Sequence, residues 1–202
     1  SDYELHEIAE LVMILPEKFY GNGSYDRWVR VGWALRNTSE RLLIVWLMFC
    51  ARHPTFDFST VFEICDKWMK FNTDSDCDGF TKRSIIYWAK EYNPEDYKKI
   101  HESSVDFYLN QSIKSITLQN ISKSEKSIGC GDADIAKILY VMFKDKFACA
   151  ALKNEKWYRF YGHRWVEDEL GTSLRKNISK DVRQIYSRKC DELTHKICDK
   201  NQ

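Results

Sequence analysis

The sequence predicts a mainly α protein, a helical bundle followed by a small α+β unit with a short antiparallel β-hairpin. Three observations carry this. Only three Pro and eight Gly punctuate 202 residues, which favours helices and short connections over a turn-rich sandwich. Apolar residues recur at three- and four-residue steps through the first half. Near residue 156 that period gives way to alternation on either side of a Gly-His pair.

The elements follow in order. Leu5, Ile8, Val12 and Leu15 mark a first helix that Pro16 stops. Gly21-Asn22-Gly23 is a turn, and Ser24 is placed to cap a helix with Trp28, Val31, Gly32 and Leu35 on one face. Thr38 or Ser39 caps the next helix. Its residues Leu42, Leu43, Val45, Trp46, Leu47 and Phe49 are apolar nearly all round, which predicts a central buried helix. Thr60 and Glu63 have capping-box spacing before Val61, Ile64, Cys65 and Trp68. Thr81 caps a helix bearing Ile85, Trp88, Ala89 and Tyr92, ended by Asn93-Pro94, and a further helix is expected from Glu95 towards Leu109.

Residues 115–131 lose the periodicity and collect Ser, Lys and Gly, so they read as a linker between a domain over 1–114 and a unit over 132–202. Beyond it, Asp132 or Asp134 starts a helix with Ile135, Ala136, Leu139, Tyr140 and Phe143. Phe147 to Leu152 forms a strand, then Lys156–Tyr161 and Arg164–Glu167 make a hairpin around Gly162-His163. Gly171-Thr172 opens a long final helix with Leu174, Ile178, Val182, Ile185 or Tyr186, Leu193 and Ile197.

Composition excludes several classes. A net charge of +1 supplies no global field towards nucleic acid or membrane, although residues 153–189 hold ten Lys/Arg against five Asp/Glu. Seven Cys without framework spacing fit free thiols in a reducing, intracellular compartment. The apolar run Leu42 to Ala51 is about half of what crosses a bilayer, so no membrane partner is expected. The Ser1-Asp2 start without Met fits a fragment of a longer protein.

No catalytic or metal site is expected. The P-loop pattern is absent, and Gly21-x-Gly23 and Gly129-x-Gly131 lack the third Gly of a dinucleotide loop. His6-Glu7-x-x-Glu10 puts a Glu where a zincin helix needs its second His. Asp74, Asp76, Asp78 and Gly79 imitate the start of a calcium loop, but Ile85 stands at the twelfth position where a bidentate Glu is required. Those Asp residues read as a solvated turn. Cys50, His53, Cys65 and Cys77, or Cys190, His195 and Cys198, lack the paired spacing of a zinc site, and Cys50 and Cys65 read as buried thiols.

One stretch carries candidate chemistry. Lys156 to Trp165 interleaves basic and aromatic residues, with Trp157, Arg159 and Tyr161 on one strand face and Tyr158 and Phe160 on the other. Rings that stack on bases beside Arg groups that contact phosphates are how single strands are held. The candidate nucleic-acid contacts are therefore Trp157, Arg159, Tyr161 and Arg164, with Lys82 and Arg83 as a second group. The alternative is a hairpin that packs one aromatic face inward and leaves its Arg residues solvated.

Residues Trp28–Asn37, Trp46, Trp68, Lys82–Ala89 and Asn93-Pro94-x-x-Tyr97 resemble the type-two primase C-terminal domain. That domain occurs in primase–helicases of nucleocytoplasmic large DNA viruses of the poxvirus, asfarvirus and mimivirus type. Asp134–Tyr140 and Lys156–Trp165 resemble the domain that precedes the helicase in the same proteins. The resemblance implies a connector between a primase and a hexameric superfamily-three helicase. It also implies DNA, single-stranded or forked, and the flanking domains as partners, with homo-oligomerisation of the full-length protein as a hexamer. ATP and Mg²⁺ would serve the parent protein, and no cofactor this fragment. The implied location is the host cytoplasm, at viral replication sites, or the nucleus. A purely structural assembly module is the alternative function.

Overall fold

The computed structural model describes residues 2–71, 79–121, 132–162 and 164–200; for 114–121, 132 and 200 it describes the backbone alone. The Asp74–Asp78 turn, Cys77, Gly129-x-Gly131, His163 and residues 122–131 of the expected linker lie outside the described residues. The chain is mainly α with one small antiparallel sheet, as the sequence predicts. Internal contacts divide it into two compact units, Ser1–Ser103 and Ser104–Gln202.

The first unit holds α1 (Asp2–Met13), α2 (Tyr25–Thr38), α3 (Leu43–Cys50), α4 (Val61–Lys70), α5 (Lys82–Tyr92) and the start of α6 (Pro94–Ile121). The periodic residues Ile8, Val12, Val31, Leu35, Ile85 and Ala89 all reach its core. Trp46, Trp68, Phe19, Phe49 and Phe71 are its largest fully buried side chains. Each such ring contributes about 1.5–3 kcal/mol through burial. Gly32 is required by close approach, because a Cβ there would lie 2.6 Å from the Phe71 ring and 2.9 Å from Trp46.

Four local expectations need correction. Alpha3 is not buried all round: Trp46, Phe49 and Cys50 face the core, whereas Ile44 and Met48 are exposed. The Thr60–Glu63 capping box does not form. Thr60 Oγ1 instead donates to the Asp57 carbonyl, and Asp57 accepts from the Ser59 amide to cap the 3-10 turn before α4. Ser24 occupies the cap position of α2 without a side-chain cap bond, whereas of the two residues expected to cap the helix after α2 Ser39 does so, at the turn before α3. Alpha6 runs to Ile121, well past Leu109, so residues 115–121 of the expected linker are helical. The Thr81 cap does form, as a reciprocal box with Ser84.

The second unit holds the remainder of α6, α7 (Asp132–Phe143), β1 (Phe147–Ala151), β2 (Lys156–Tyr161), β3 (Arg164–Asp168), α8 (Thr172–Asn177) and α9 (Arg183–Lys200). A π-helical turn at Ile178–Val182 joins the last two. Val105, Leu109, Ile138, Val141, Phe143 and Phe147 are buried. Alpha7 thus buries Ile138 and Val141 and exposes Ile135 and Tyr140, a face rotated from the expected one. Its mostly apolar composition leaves the face unspecified, and packing decides it.

Candidate nucleic-acid interface

The sheet has the order β1-β2-β3, antiparallel throughout. Beta2 consists of Lys-Trp-Tyr-Arg-Phe-Tyr, and its aromatic side chains favour the pleated backbone. Gly162 takes φ +63° in the tight turn, a left-handed value that glycine adopts without strain.

The strand register assigns the faces, since directly opposed residues point to the same side. Trp157 opposes Asp168, Arg159 opposes Val166, and Tyr161 opposes Arg164. On the other face Tyr158 opposes Glu167 and Phe160 opposes Trp165. Beta1 pairs with β2 from Lys156 to Arg159 and the Phe160 amide still donates to the Lys146 carbonyl at 2.8 Å, so the segment from Tyr161 to Arg164 projects past that pairing.

The root of the hairpin is anchored. Phe147, opposite Arg159, is buried and meets Phe143 edge-on at 6.1 Å. Trp157 is half-buried and lies over Gly171, where a Cβ would come within 3.2 Å of its ring. Asp168 is buried and accepts from the amides of Ser173 and Leu174 at 3.1–3.3 Å, which caps α8. Burial opposes ionisation of Asp168. The Ser173 and Leu174 donors and the charge of Arg159 outweigh it and hold the carboxyl below its ordinary 3.8.

The tip is open. Phe160, Tyr161 and Trp165 are 42%, 67% and 47% exposed, and Arg164 is exposed with no acidic partner among the described residues. Phe160 and Trp165 meet edge-on at 5.3 Å across the strands. Arg159 lies over the Tyr161 ring at 5.4 Å, and Lys156 over Tyr158 at 5.7 Å. Lys156 has its affinity for the proton raised by the Tyr158 hydroxyl and by Glu167, 3.8 Å away.

Of the residues expected to touch nucleic acid, Trp157, Arg159, Tyr161 and Arg164 therefore share one face. Tyr161 and Arg164 are exposed there, while Trp157 and Arg159 are half-buried. Sequence reasoning did not single out the second exposed pair, Phe160 with Trp165. Its signal was the aromatic on each side of the Gly-His turn, which a two-residue loop brings into opposition.

Lys82 and Arg83 lie in the first unit, at the start of α5. They border a cleft of about 600 Å³ with Arg41, Thr38 and Ser39. Lys82 is committed to Glu4 of α1, and that hydrogen bond holds the Glu4 carboxyl below its ordinary value. Arg83 is exposed. Cys50 is buried, accepts a hydrogen bond from Trp28 Nε1 at 3.3 Å, and has its thiol pushed up to about 12 by burial. Cys65 is half-buried rather than buried. Among the described residues no three His, Cys, Asp or Glu side chains are grouped to hold a metal ion, and no helix is long and apolar enough to cross a membrane.

Residues 8–89, within the first unit, match the family described as Primase C terminal 2 (PriCT-2). That stretch belongs to this family, and the chain is a region of the viral primase–helicase type. The match contains Trp28–Asn37, Trp46, Trp68 and Lys82–Ala89, residues on which the resemblance rests. A helicase-named protein of Acanthamoeba polyphaga mimivirus is 27% identical over 81% of this chain and 15% of its own length. A helicase-named protein of Frog virus 3 is 30% identical over 83% of this chain and 15% of its own length. A primase-named protein of African swine fever virus is 29% identical over 97% of this chain and 20% of its own length. The similarity therefore extends across both units, and the chain spans a fifth or less of these relatives.

Proposed function

We propose that this chain is the connector between the primase and the hexameric helicase of a viral DNA-replication protein, and that it contacts DNA through the β2–β3 hairpin. The observation that carries the DNA contact is the exposed tip, where Phe160, Tyr161 and Trp165 stand beside Arg159 and Arg164. Exposed rings beside the exposed Arg164 and the half-buried Arg159 match how single strands are bound. In this reading 1–114 is the type-two primase C-terminal domain, 115–131 the connection, and 132–202 the unit preceding the motor. The parent would use ATP and Mg²⁺, act as a hexamer, and work where the viral genome is copied, in the host cytoplasm or nucleus.

Fluorescence anisotropy with labelled single-stranded and forked DNA tests the contact. Binding should weaken with salt, and the slope of log K against log salt should fall by roughly 0.7 for each phosphate contact removed in Arg159→Ala/Arg164→Ala. An unchanged affinity and slope in that variant would rule the hairpin out.

A purely structural assembly module is the second reading. The exposed Ile44, Met48, Phe58 and Phe62 of the first unit favour it, since large apolar side chains left in water are material for protein contacts. Under that reading anisotropy stays flat while sedimentation shifts on adding the flanking domains.

A further inference from the structure

A protein that stacks one strand on a sheet needs one open face and covers the other with its own core. This hairpin is covered at its root and open on both sides at its tip. Phe147, Trp157 and Asp168 secure the root against Phe143, Gly171 and α8. At the tip, Tyr161 and Arg164 stand on one face and Phe160 and Trp165 on the other, and all four are exposed. Each face has rings with a cation over one of them, Arg159 over Tyr161 and, nearer the root and 3.8 Å from Glu167, Lys156 over Tyr158. The tip is also narrow. Beyond the Phe160 amide, which donates to the Lys146 carbonyl at 2.8 Å, it continues as two strands roughly 5 Å apart. A second layer would have buried one pair of rings, and neither pair is buried.

We infer that the β2–β3 hairpin is a strand-separating pin that receives one unpaired DNA strand on each face. Its ligand is the junction of a fork, not a lone strand or a closed duplex. The inference rests on the DNA contact proposed above and names the form of DNA it takes. Apolar side chains inserted at a base step unstack it, and an aromatic on each face replaces the stacking that each parted base loses. Arg164 and Arg159 on one side supply cations for one backbone, and Lys156 on the other, exchanging its 3.8 Å ion pair with Glu167 for phosphate, supplies the second. No covalent step is involved.

The test uses the full chain with three labelled DNAs of equal strand length: a fork, a single strand and a blunt duplex. The fork is expected to bind about tenfold more tightly than either other form, the gain from one additional stacked base. Phe160→Ala/Trp165→Ala and Tyr161→Ala/Arg164→Ala should each abolish that preference. Their far-ultraviolet circular dichroism should remain that of the parent chain, and their melting temperature should fall by no more than about 2–4 °C, since the side chains are exposed. With 5-iodouracil placed next to the junction, both arms of the fork should photocrosslink to the peptide containing residues 156–168. Equal affinity for fork and single strand, equal affinity for fork and duplex, sensitivity to one face alone, or crosslinking of one arm alone would each overturn the pin and leave a hairpin–DNA contact standing. Binding that ignores both double variants would overturn the pin and the DNA contact together.

Discussion

The core of the first unit and the hairpin tip of the second spend their aromatic residues differently. In the first, Trp46, Trp68, Phe49 and Phe71 are fully buried and pack ring against ring, with Gly32 left bare to admit them. In the second, Phe160, Tyr161 and Trp165 stand in solvent beside Arg and Lys. One composition therefore builds a core in one place and a contact surface in another. Burial decides which, and composition does not.

The comparison is broken most severely by removing a core ring. Trp46→Ala should cost about 3–5 kcal/mol in urea denaturation. Phe160→Ala with Trp165→Ala should cost about 1 kcal/mol, the value of one lost edge-to-face pair. Next in size is Gly32→Ala. Ala improves helix propensity by about 1 kcal/mol, but overpacking against two ring systems costs about 1–3 kcal/mol. The net expectation is a lower melting temperature. A stabilised Gly32→Ala variant would show that α2 sits further from Phe71 and Trp46 than described.

A third variant tests how the hairpin is anchored. Asp168→Ala should cost about 1 kcal/mol at neutral pH through the lost cap of α8. Because the folded carboxyl titrates below its ordinary 3.8, its contribution is complete above that value and is lost as the pH falls through the folded pKa. The gap between Asp168→Ala and the parent chain should therefore close in acid, as followed by chemical denaturation from pH 7 downward. The smallest effect is expected in the first unit. Lys82→Ala should change stability by about 0–1 kcal/mol, as expected for a partly exposed ion pair, and should leave DNA affinity alone. Arg83→Ala, which removes an exposed cation, should weaken DNA binding more than Lys82→Ala does.

Much of the fold was legible in the sequence because local signals agreed with packing. The Leu5–Ile8–Val12 period, the Thr81 cap, the Asn93-Pro94 stop and the turn between Tyr161 and Arg164 all appear where their chemistry puts them. Misreadings arose where the deciding contact is remote or competing. The Thr60 hydroxyl turns to donate to the Asp57 carbonyl and Asp57 caps the preceding 3-10 turn, in place of the Thr60–Glu63 box. Ile44 and Met48 are as apolar as their buried neighbours, so nothing in α3 itself marks its exposed side. The candidate site was half legible. Alternation separated the two hairpin faces, but the half-burial of Trp157 depends on the bare backbone of Gly171, fourteen residues away in the chain. Without that contact, the face carrying Phe160 and Trp165 reads as the inner one.

The most direct measurement is a titration of forked DNA against the parent chain and Phe160→Ala/Trp165→Ala, with a melting curve for each. The account predicts a loss of affinity of about tenfold with the melting temperature lowered by no more than about 2–4 °C. Full affinity in the variant, or a melting temperature that collapses with it, would contradict the assignment of these rings to contact and not to core.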